Sequence, residues 1–187
     1  NQAVGFGVLD DQMAAIRDLN RNLEFRKAIK HAIDGKAFAK AMSKGPFVTV
    51  YAGGLARDSA FFDADATSFF PYNPTGANSI LDGLGLMDTD GNGVRNLPNG
   101  GGDLVINLVQ NKGSENEMLL GDGMATMMAE VGIKINIKPM EDTEPTRQAG
   151  EWDWLLVRSQ QEMAFPNSGY WSDTVSYTHL TLPTTGI

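Results

Sequence analysis

The chain has 187 residues, 42% of them hydrophobic, which is enough for one packed domain or for part of a larger one. Fifteen Lys and Arg against 23 Asp and Glu give a net charge of -8, which argues against nucleic acid or an anionic membrane as a partner, because phosphates would be repelled. No apolar run could span a bilayer, and the opening residues lack the features of a signal peptide, so the protein is cytosolic or its true beginning is missing.

The first predicted elements are a short buried strand and two helices. The strand is AVGFGVL, and a helix with Asp10 or Asp11 as its N-cap follows it. A longer single helix is predicted over NLEFRKAIKHAIDGKAFAKAM, in which Gly35 weakens the helix without interrupting it. Its apolar face consists of Phe25, Ala28, Ile29, Ala32, Ile33, Ala37 and Ala41.

A long connection without periodicity follows, over residues 45–72. Its five Phe residues predict an ordered loop, because so many aromatic rings are not left in water. Asn73 is then the expected N-cap of a short helix with Pro74 at its first position, and Gly83 or Gly85 ends it.

The next part of the chain predicts an α/β fold. DLVINLVQ is apolar on nearly both faces, which is typical of a central strand in a covered sheet. NEMLLGDGMATMMAEVG has helical spacing, and IKINIKPM alternates like a strand. Strand, helix and strand in this order predict a right-handed parallel crossover, and EWDWLLVRS supplies a further strand.

The last thirteen residues, 175–187, differ in composition from the rest of the chain. VSYTHLTLPTTGI contains no Asp, Glu, Lys or Arg and completes no element. VSYTHL resembles a translation of the mosaic-end sequence used in transposon-based sequencing libraries. We therefore expect a non-native tail here, and His179 is assigned no function; a genomic copy whose frame continues through VSYTHL would contradict this.

The stretch DTDGNGVRN has two interpretations. In a calcium loop starting at Asp88, the side chains of Asp90, Asn92 and Asn96 would fall at ligand positions and Gly93 at the sharp turn. The twelfth position is Asn99 where such a loop needs Glu, and a strand follows where a helix is required. The alternative is a compact turn, in which Asp and Asn bond nearby backbone and Gly supplies positive φ.

Catalysis is poorly supported, and we expect a protein that is not an enzyme. His31 and His179 are the only histidines, so a Ser-His-Asp arrangement has almost nothing to work with, and His31 is interpreted as a surface residue. The absence of cysteine makes a zinc site improbable. No cofactor is expected, with calcium at Asp88, Asp90 and Asn92 as a weak alternative.

Aromatic residues near the last predicted strand are the candidate ligand site. Flat rings beside hydrogen-bonding side chains suit sugar rings or peptide backbones, although a buried Trp more often belongs to a core. The strand is expected to lead toward the binding cleft. The predicted ligand-binding residues are Trp152, Trp154, Arg158, Gln161 and Glu162.

Three segments, in order, resemble the family 5 extracellular solute-binding proteins, which include the dipeptide- and oligopeptide-binding components of ABC importers. They are LEFRKAIKHAIDGKAFAKAM, then FFPYNPTGANSILDGLGLMDTDGNGVRNLPNG, then MATMMAEVGIKINIKPM. Asn73, Asn92 and the absence of a Lys in TGANSIL depart from the usual pattern. All three are framework segments, so they assign no ligand residue.

This resemblance implies a periplasmic binding protein type II-like lobe with a mixed sheet flanked by helices. Residues 1–174 would form a partial lobe of a longer, two-lobed protein, periplasmic or extracellular and membrane-associated. It would act as a monomer, capture a peptide or an oligosaccharide between its lobes, and dock on a membrane permease. The alternative function is a small calcium-dependent binding module built around the Asp88 loop.

Overall fold

The computed structural model describes residues 6–42, 63, 65 and 70–156. The chain divides into two compact units, Asn1–Val50 with Phe70–Val157 and Tyr51–Phe69 with Arg158–Ile187. The second unit is described only at residues 63 and 65, where the Asp65 N–H donates to the Asp63 carboxylate at 2.9 Å. Most of the predicted loop at 45–72 and the whole tail at 175–187 lie outside the described residues.

Helix α1 spans Asp11–Arg21, and the predicted N-cap is confirmed, because the Asp10 carboxylate accepts the Met13 N–H at 2.7 Å. The strand predicted before α1 is wrong over its described part. Residues 6 and 7 form a turn and residues 8 and 9 belong to no regular element, with Phe6 51% and Leu9 67% exposed. Gly7 has φ of 66° and its backbone lies against Ala149 and Gly150, so a local glycine turn replaces the extended backbone that the apolar run indicated.

The single long helix predicted next is also wrong, because two helices form. Helix α2 spans Leu23–Ala32 and α3 spans Gly35–Met42. Between them Ile33 has extended backbone, and the Asp34 carboxylate accepts the N–H groups of Lys36 and Ala37, both at 3.0 Å. Asp34 thus caps a new helix in the way an N-terminal cap does. Of the predicted apolar face, Ala37 and Ala41 are consequently exposed.

Helix α4 spans Pro74–Gly83 and confirms both of its predicted ends. The Asn73 side chain accepts the Gly76 N–H at 2.9 Å at the start. At the end Gly85, with φ of 75°, reverses the chain, and the Leu86 N–H donates to the Leu81 carbonyl at 3.1 Å. This is a Schellman ending, and its two leucines are both fully buried.

The base of the long connection is closed by contacts between α2 and the residues before α4. His31 is half-buried; its Nδ1 lies 2.9 Å from the Pro71 carbonyl oxygen, and its ring meets the edge of Phe70 at 5.5 Å between centroids. The Asn73 N–H also donates to the His31 carbonyl at 2.8 Å. Helix α2 and the residues that lead into α4 are therefore held side by side.

The predicted parallel crossover is confirmed. Strand β1 spans Val105–Asn111, helix α5 spans Glu115–Glu130 and strand β2 spans Lys134–Met140. After a short helix α6 over Glu144–Ala149, strand β3 covers Trp154–Leu155, and the order β2-β1-β3 places β1 in the centre with both neighbours parallel. Within the described ranges, one antiparallel pairing lies outside these strands, a bridge between Asn96 and Asp103. A 3-10 turn at Pro98–Gly100 lies between these two residues in the chain.

One hydrophobic core joins the helices to the sheet, which confirms the α/β class. Phe25 of α2, Leu81 of α4, Ile106 of β1 and Met128 of α5 are each fully buried in it. Burying side chains of this size stabilises a fold by about 1.5–3 kcal/mol each. None of the helices in the described part of the chain is long and apolar enough to cross a membrane.

Candidate functional site

The segment that carries the candidate aromatic residues begins where α6 ends. Helix α6 spans Glu144–Ala149, and Gly150 terminates it in the left-handed conformation with φ of 73°. Arg147 donates hydrogen bonds from Nε and Nη2 to the exposed Glu144 carboxylate, at 2.7 and 2.6 Å. These hydrogen bonds lower the pKa of the Glu144 carboxyl to about 2. The helix therefore ends at Gly150, and residues 151–156 lead from there into the sheet.

Trp152 and Trp154 are both half-buried, and their indole N–H groups have different partners. Trp152 donates to the Arg147 carbonyl at 3.4 Å, and Trp154 donates to the Asn20 side-chain oxygen at 2.9 Å. Trp154 also packs against the hydrophobic core. Because both N–H groups are used inside the protein, the ring faces are the parts of these side chains that could meet a ligand.

Asp153 lies between the two tryptophans and is 4% exposed. Its Oδ2 accepts the Asn107 backbone N–H at 2.8 Å and the Asn107 side-chain amide at 2.9 Å. Burial raises the pKa of this carboxyl, and the Asn107 hydrogen bonds and Arg17 oppose the rise only in part. A charged group has thus been brought into the sheet beside the candidate aromatic residues.

Two side chains of α1 reach the same segment. Arg17 is 2% exposed and donates to the carbonyls of Phe6 and Gly150, and burial lowers the pKa of its guanidinium. Asn20 accepts the Trp154 indole N–H and donates to the Asp153 carbonyl at 3.5 Å. Helix α1 and strand β3 are therefore joined by polar contacts between residues that lie far apart in sequence.

A row of amides continues this network across the sheet. The Asn136 side chain on β2 donates to the Asn107 side-chain oxygen at 2.9 Å, and Asn107 in turn donates to Asp153. In the strand register Asn107 pairs with Asn136. The three strands are consequently cross-linked by side chains as well as by the backbone ladder.

Of the five predicted ligand-binding residues, Trp152 and Trp154 are described and lie two residues apart on the same segment. Arg158, Gln161 and Glu162 lie outside the described residues. Sequence reasoning missed the residues that support this segment, namely Arg17, Asn20, Asn107 and Asp153. A charged residue between two tryptophans was the one available signal, because acidic side chains are rarely buried without a reason.

The Asp88 loop has the hydrogen bonds of a compact turn. The Asp88 carboxylate accepts the N–H groups of Gly91 and Gly93 at 2.7 and 2.9 Å. The hydrogen bond from Gly93 is the main cause of the lowered pKa of this carboxyl. The Asn92 side-chain oxygen accepts the Val94 N–H at 2.7 Å. Gly91 and Gly93 have φ of 76° and 85°. These side-chain oxygens serve backbone donors, as the turn interpretation predicts.

The calcium interpretation finds no supporting cluster. Asp90 bonds the backbone and side chain of Asn92, at 3.3 and 3.1 Å, and Asn92 also donates to Asp103. Across residues 6–42 and 70–156, no group of three or more His, Cys, Asp or Glu side chains is arranged to hold a metal ion. The geometry of the loop is explained without an ion.

Arg95, at the end of this loop, is a buried structural hub that sequence reasoning did not identify. Its Nε donates to the Val131 carbonyl, Nη1 to Asp82 and Nη2 to Asn78, each at 2.7 Å, and Nη1 also donates to the Leu86 carbonyl. One guanidinium therefore joins the end of α4 to the end of α5. The turn is fixed to both helices by this side chain.

A cavity of about 370 Å³ lies beside the loop, lined in part by Asp82, Asp88, Arg95 and Glu130. The donors of Arg95 are already directed to protein acceptors, so the remaining charged groups are acidic. Among the described residues that line this cavity there is no aromatic side chain. Its chemistry does not match the flat, uncharged ligands that the tryptophan segment would suit.

The fold is shared with solved structures of one class of protein, the periplasmic binding proteins. The sequence pattern described as "Bacterial extracellular solute-binding proteins, family 5 Middle" matches residues 5–178. The chain belongs to this family, which confirms the resemblance found in its framework segments.

Similar proteins agree with this membership. The chain is 37% identical over 165 residues to the periplasmic alpha-galactoside-binding protein of Rhizobium meliloti (strain 1021). The matched region covers 86% of this chain and 24% of that protein. It is 36% identical to the periplasmic binding protein MelB of Agrobacterium fabrum C58, solved in complex with stachyose, with a TM-score of 0.79 over 85% of this chain and 24% of MelB.

A more distant structure shares the fold alone. The oligopeptide-binding protein AppA of Bacillus subtilis, solved in complex with a nonapeptide, is 20% identical, with a TM-score of 0.69 over 80% of this chain and 30% of AppA. The chain spans about a quarter of the length of the alpha-galactoside-binding protein and of MelB. These relatives are binding proteins, and the first two are named as periplasmic.

Proposed function

We propose that this chain is part of the substrate-binding component of an ABC importer that captures an oligosaccharide, with peptides as the competing ligand class. The observation that carries the sugar assignment is the 37% identity over 165 residues to an alpha-galactoside-binding protein. The relative solved with a nonapeptide is much less similar, at 20% identity. An α-galactoside is therefore the first ligand to test.

The chemistry of residues 152–154 supports a sugar ligand. Trp152 and Trp154 are each half-buried and use their N–H groups internally, so any outward contact they make is through an apolar ring face. Sugar rings present C–H faces that pack on indole rings, while their hydroxyls need separate hydrogen-bonding partners. Arg158, Gln161 and Glu162 are our proposed source of those partners.

The proposed mechanism is capture without a chemical step. The ligand would contact two lobes, of which residues 1–174 form part of one, and these contacts would favour the closed over the open state. A ligand can shift that equilibrium only by the difference in its affinity for the two states. Contacts to both lobes supply this difference in affinity, because the ligand contacts only one lobe in the open state.

The remaining assignments follow from family membership. We propose a monomer in the periplasm or at the outer cell surface, associated with the membrane through its permease, with no cofactor and no enzymatic activity. Residues 175–187 are proposed to be a non-native tail.

The test is calorimetric titration of the complete protein that contains these residues. Stachyose is the probe, maltotetraose is the control tetrasaccharide without galactose, and a nonapeptide represents the competing class. We expect heat of binding with stachyose and at least about tenfold weaker binding of the other two, a difference of about 1.4 kcal/mol.

Tight binding of the nonapeptide with no response to stachyose would replace the sugar assignment by a peptide assignment. Absence of binding to all three probes would overturn the proposed function. Trp154→Ala and Trp152→Ala then test the segment. If the two rings stack on the sugar, removing either one is expected to weaken binding by about 1–2 kcal/mol.

A further inference from the structure

Strand β3 has little backbone pairing of its own. Trp154 and Leu155 are the two residues that pair with β1, at Leu108 and Val109, and the Leu156 N–H adds one bond to the Val109 carbonyl at 3.0 Å. A two-residue strand is weakly held by its ladder, since strands in globular proteins usually have about five residues. The position of this segment must depend on other contacts.

Asp153 supplies the contacts immediately before the strand. Both of its hydrogen bonds go to Asn107 of β1, one to the backbone at 2.8 Å and one to the side chain at 2.9 Å. Asn107 is itself held by Asn136 of β2. The carboxylate thus connects β3 to an amide row that reaches the opposite edge of the sheet.

Helix α1 fixes the same segment from the other side. Arg17 donates to the Gly150 carbonyl, and Asn20 contacts both the Asp153 carbonyl and the Trp154 indole. The ring orientation of Trp154 is therefore set by a residue that also contacts Asp153. A change at Asp153 has a direct structural route to that ring.

Burying these charged groups has an unfavourable free energy that a purely structural role does not explain. Asp153 Oδ1 and Arg17 Nε are buried and have no hydrogen-bond partner among the described residues. Leaving buried polar atoms unsatisfied costs about 1–3 kcal/mol each, and well-packed apolar residues often replace a buried ion pair with no loss of stability. Buried charges with perturbed pKa values are concentrated at functional sites, and this one lies between the two candidate ligand-binding tryptophans.

We propose that Asp153 is a positioning residue for ligand binding, whose carboxylate fixes the start of β3 and thereby the orientation of the Trp154 ring. This inference rests on the proposed function. Asp153 itself touches no ligand; it acts through Asn107, Asn20 and Trp154.

The charged groups that act on Asp153 belong to α1 and its cap. Arg17 lowers the pKa of the carboxyl, Asp10 raises it, and burial, the largest influence, also raises it. Arg21 acts on Arg17 in turn, and Asn107 on β1 is uncharged. Burial therefore moves the ionisation of Asp153 above the usual pH range of an Asp.

The experiment compares Asp153→Asn with Glu151→Gln in the complete protein. Both changes replace a carboxylate by an amide of the same shape, but Glu151 is exposed and lies two residues from Asp153. Fluorine NMR on 5-fluorotryptophan-labelled protein reports the Trp154 environment, with the resonance assigned by Trp154→Phe. Calorimetry with stachyose reports binding.

We expect the Trp154 resonance to move with pH as Asp153 ionises in the unmodified protein and in Glu151→Gln, and to stay constant in Asp153→Asn. Stachyose binding should weaken about tenfold in Asp153→Asn alone, the size of one lost charge-assisted hydrogen bond. Asn107→Ala, which leaves the carboxylate in place, should weaken binding in the same direction.

A Trp154 resonance that titrates identically in Asp153→Asn would overturn the proposal, and so would stachyose binding within about twofold of Glu151→Gln. If the unmodified protein binds neither stachyose nor the nonapeptide, the proposed function fails and the positioning role fails with it. The NMR titration then still shows whether Asp153 controls Trp154, so the two failures are distinguishable.

Discussion

Arg95 and Asp153 are both buried charged side chains, but their surroundings differ in one respect. Every nitrogen of the Arg95 guanidinium has an acceptor, and its four bonds join α4 to α5. Asp153 has one oxygen with two donors and one oxygen with none among the described residues. The framework thus satisfies the whole Arg95 guanidinium, whereas the described part of the chain leaves one oxygen of the Asp153 carboxylate without a donor.

The largest expected effect is at Arg95. Arg95→Met should lower the free energy of unfolding by about 2–5 kcal/mol, because the buried Val131 and Leu86 carbonyls lose their donor and each unsatisfied group costs about 1–3 kcal/mol. Urea denaturation measures the loss. Arg26→Met on the exposed face of α2 is the control, with an expected change within about 0.5 kcal/mol.

A smaller loss is expected at Gly132, which packs against the same guanidinium. Its φ is 74° and a Cβ would lie 2.9 Å from the Arg95 Cγ, so Gly132→Ala should cost about 1–3 kcal/mol. Gly83 is the matched control, since it is helical and has open space around its Cβ position. Gly83→Ala should stabilise by about 0.5–1 kcal/mol, and equal effects at the two glycines would contradict the left-handed, closely packed position of Gly132.

At Asp153 the expected effect is on the pH dependence of stability. Its pKa is raised in the folded protein, so between the unfolded and folded pKa values the folded state binds more protons and stability falls as pH rises. Asp153→Asn should flatten this slope while changing stability at neutral pH by no more than about 1–2 kcal/mol. Denaturant midpoints measured across that pH range check this, and an unchanged slope would contradict a buried, ionising Asp153.

The smallest effect is expected at the Asp88 loop. Its carboxylates already serve Gly91, Gly93 and Asn92, so millimolar calcium should leave the melting temperature unchanged. A calcium-dependent rise that Asp88→Ala with Asp90→Ala abolishes would restore the calcium-dependent module as a candidate function. Magnesium at the same concentration is the control for a general ionic effect.

Local signals predicted much of the fold. The Asn73 cap with Pro74, the Gly85 reversal and the strand predicted at β2 depend on neighbouring residues, and each is confirmed. The break at Asp34 was missed because an Asp inside an apolar helical pattern can either face solvent or cap a new helix. The choice between these was made by packing that the sequence does not display.

The supporting residues of the candidate site were harder to predict, for a physical reason. Arg17 meets the Gly150 carbonyl and Asn20 meets Trp154, contacts that span more than a hundred positions. No periodicity or motif encodes such a pair, because it depends on how α1 and the sheet pack together. The tryptophans could be named from chemistry alone, but the side chains that orient them required the fold.

The closed base of the long connection has a consequence for protein engineering. His31 of α2 holds both Pro71 and Asn73, so the start of α4 is fixed to α2 by contacts within the framework. We therefore expect α4 to keep its place on α2 when a reporter domain with adjacent termini is inserted within residues 51–62, which makes this connection the first choice for converting the lobe into a sensor.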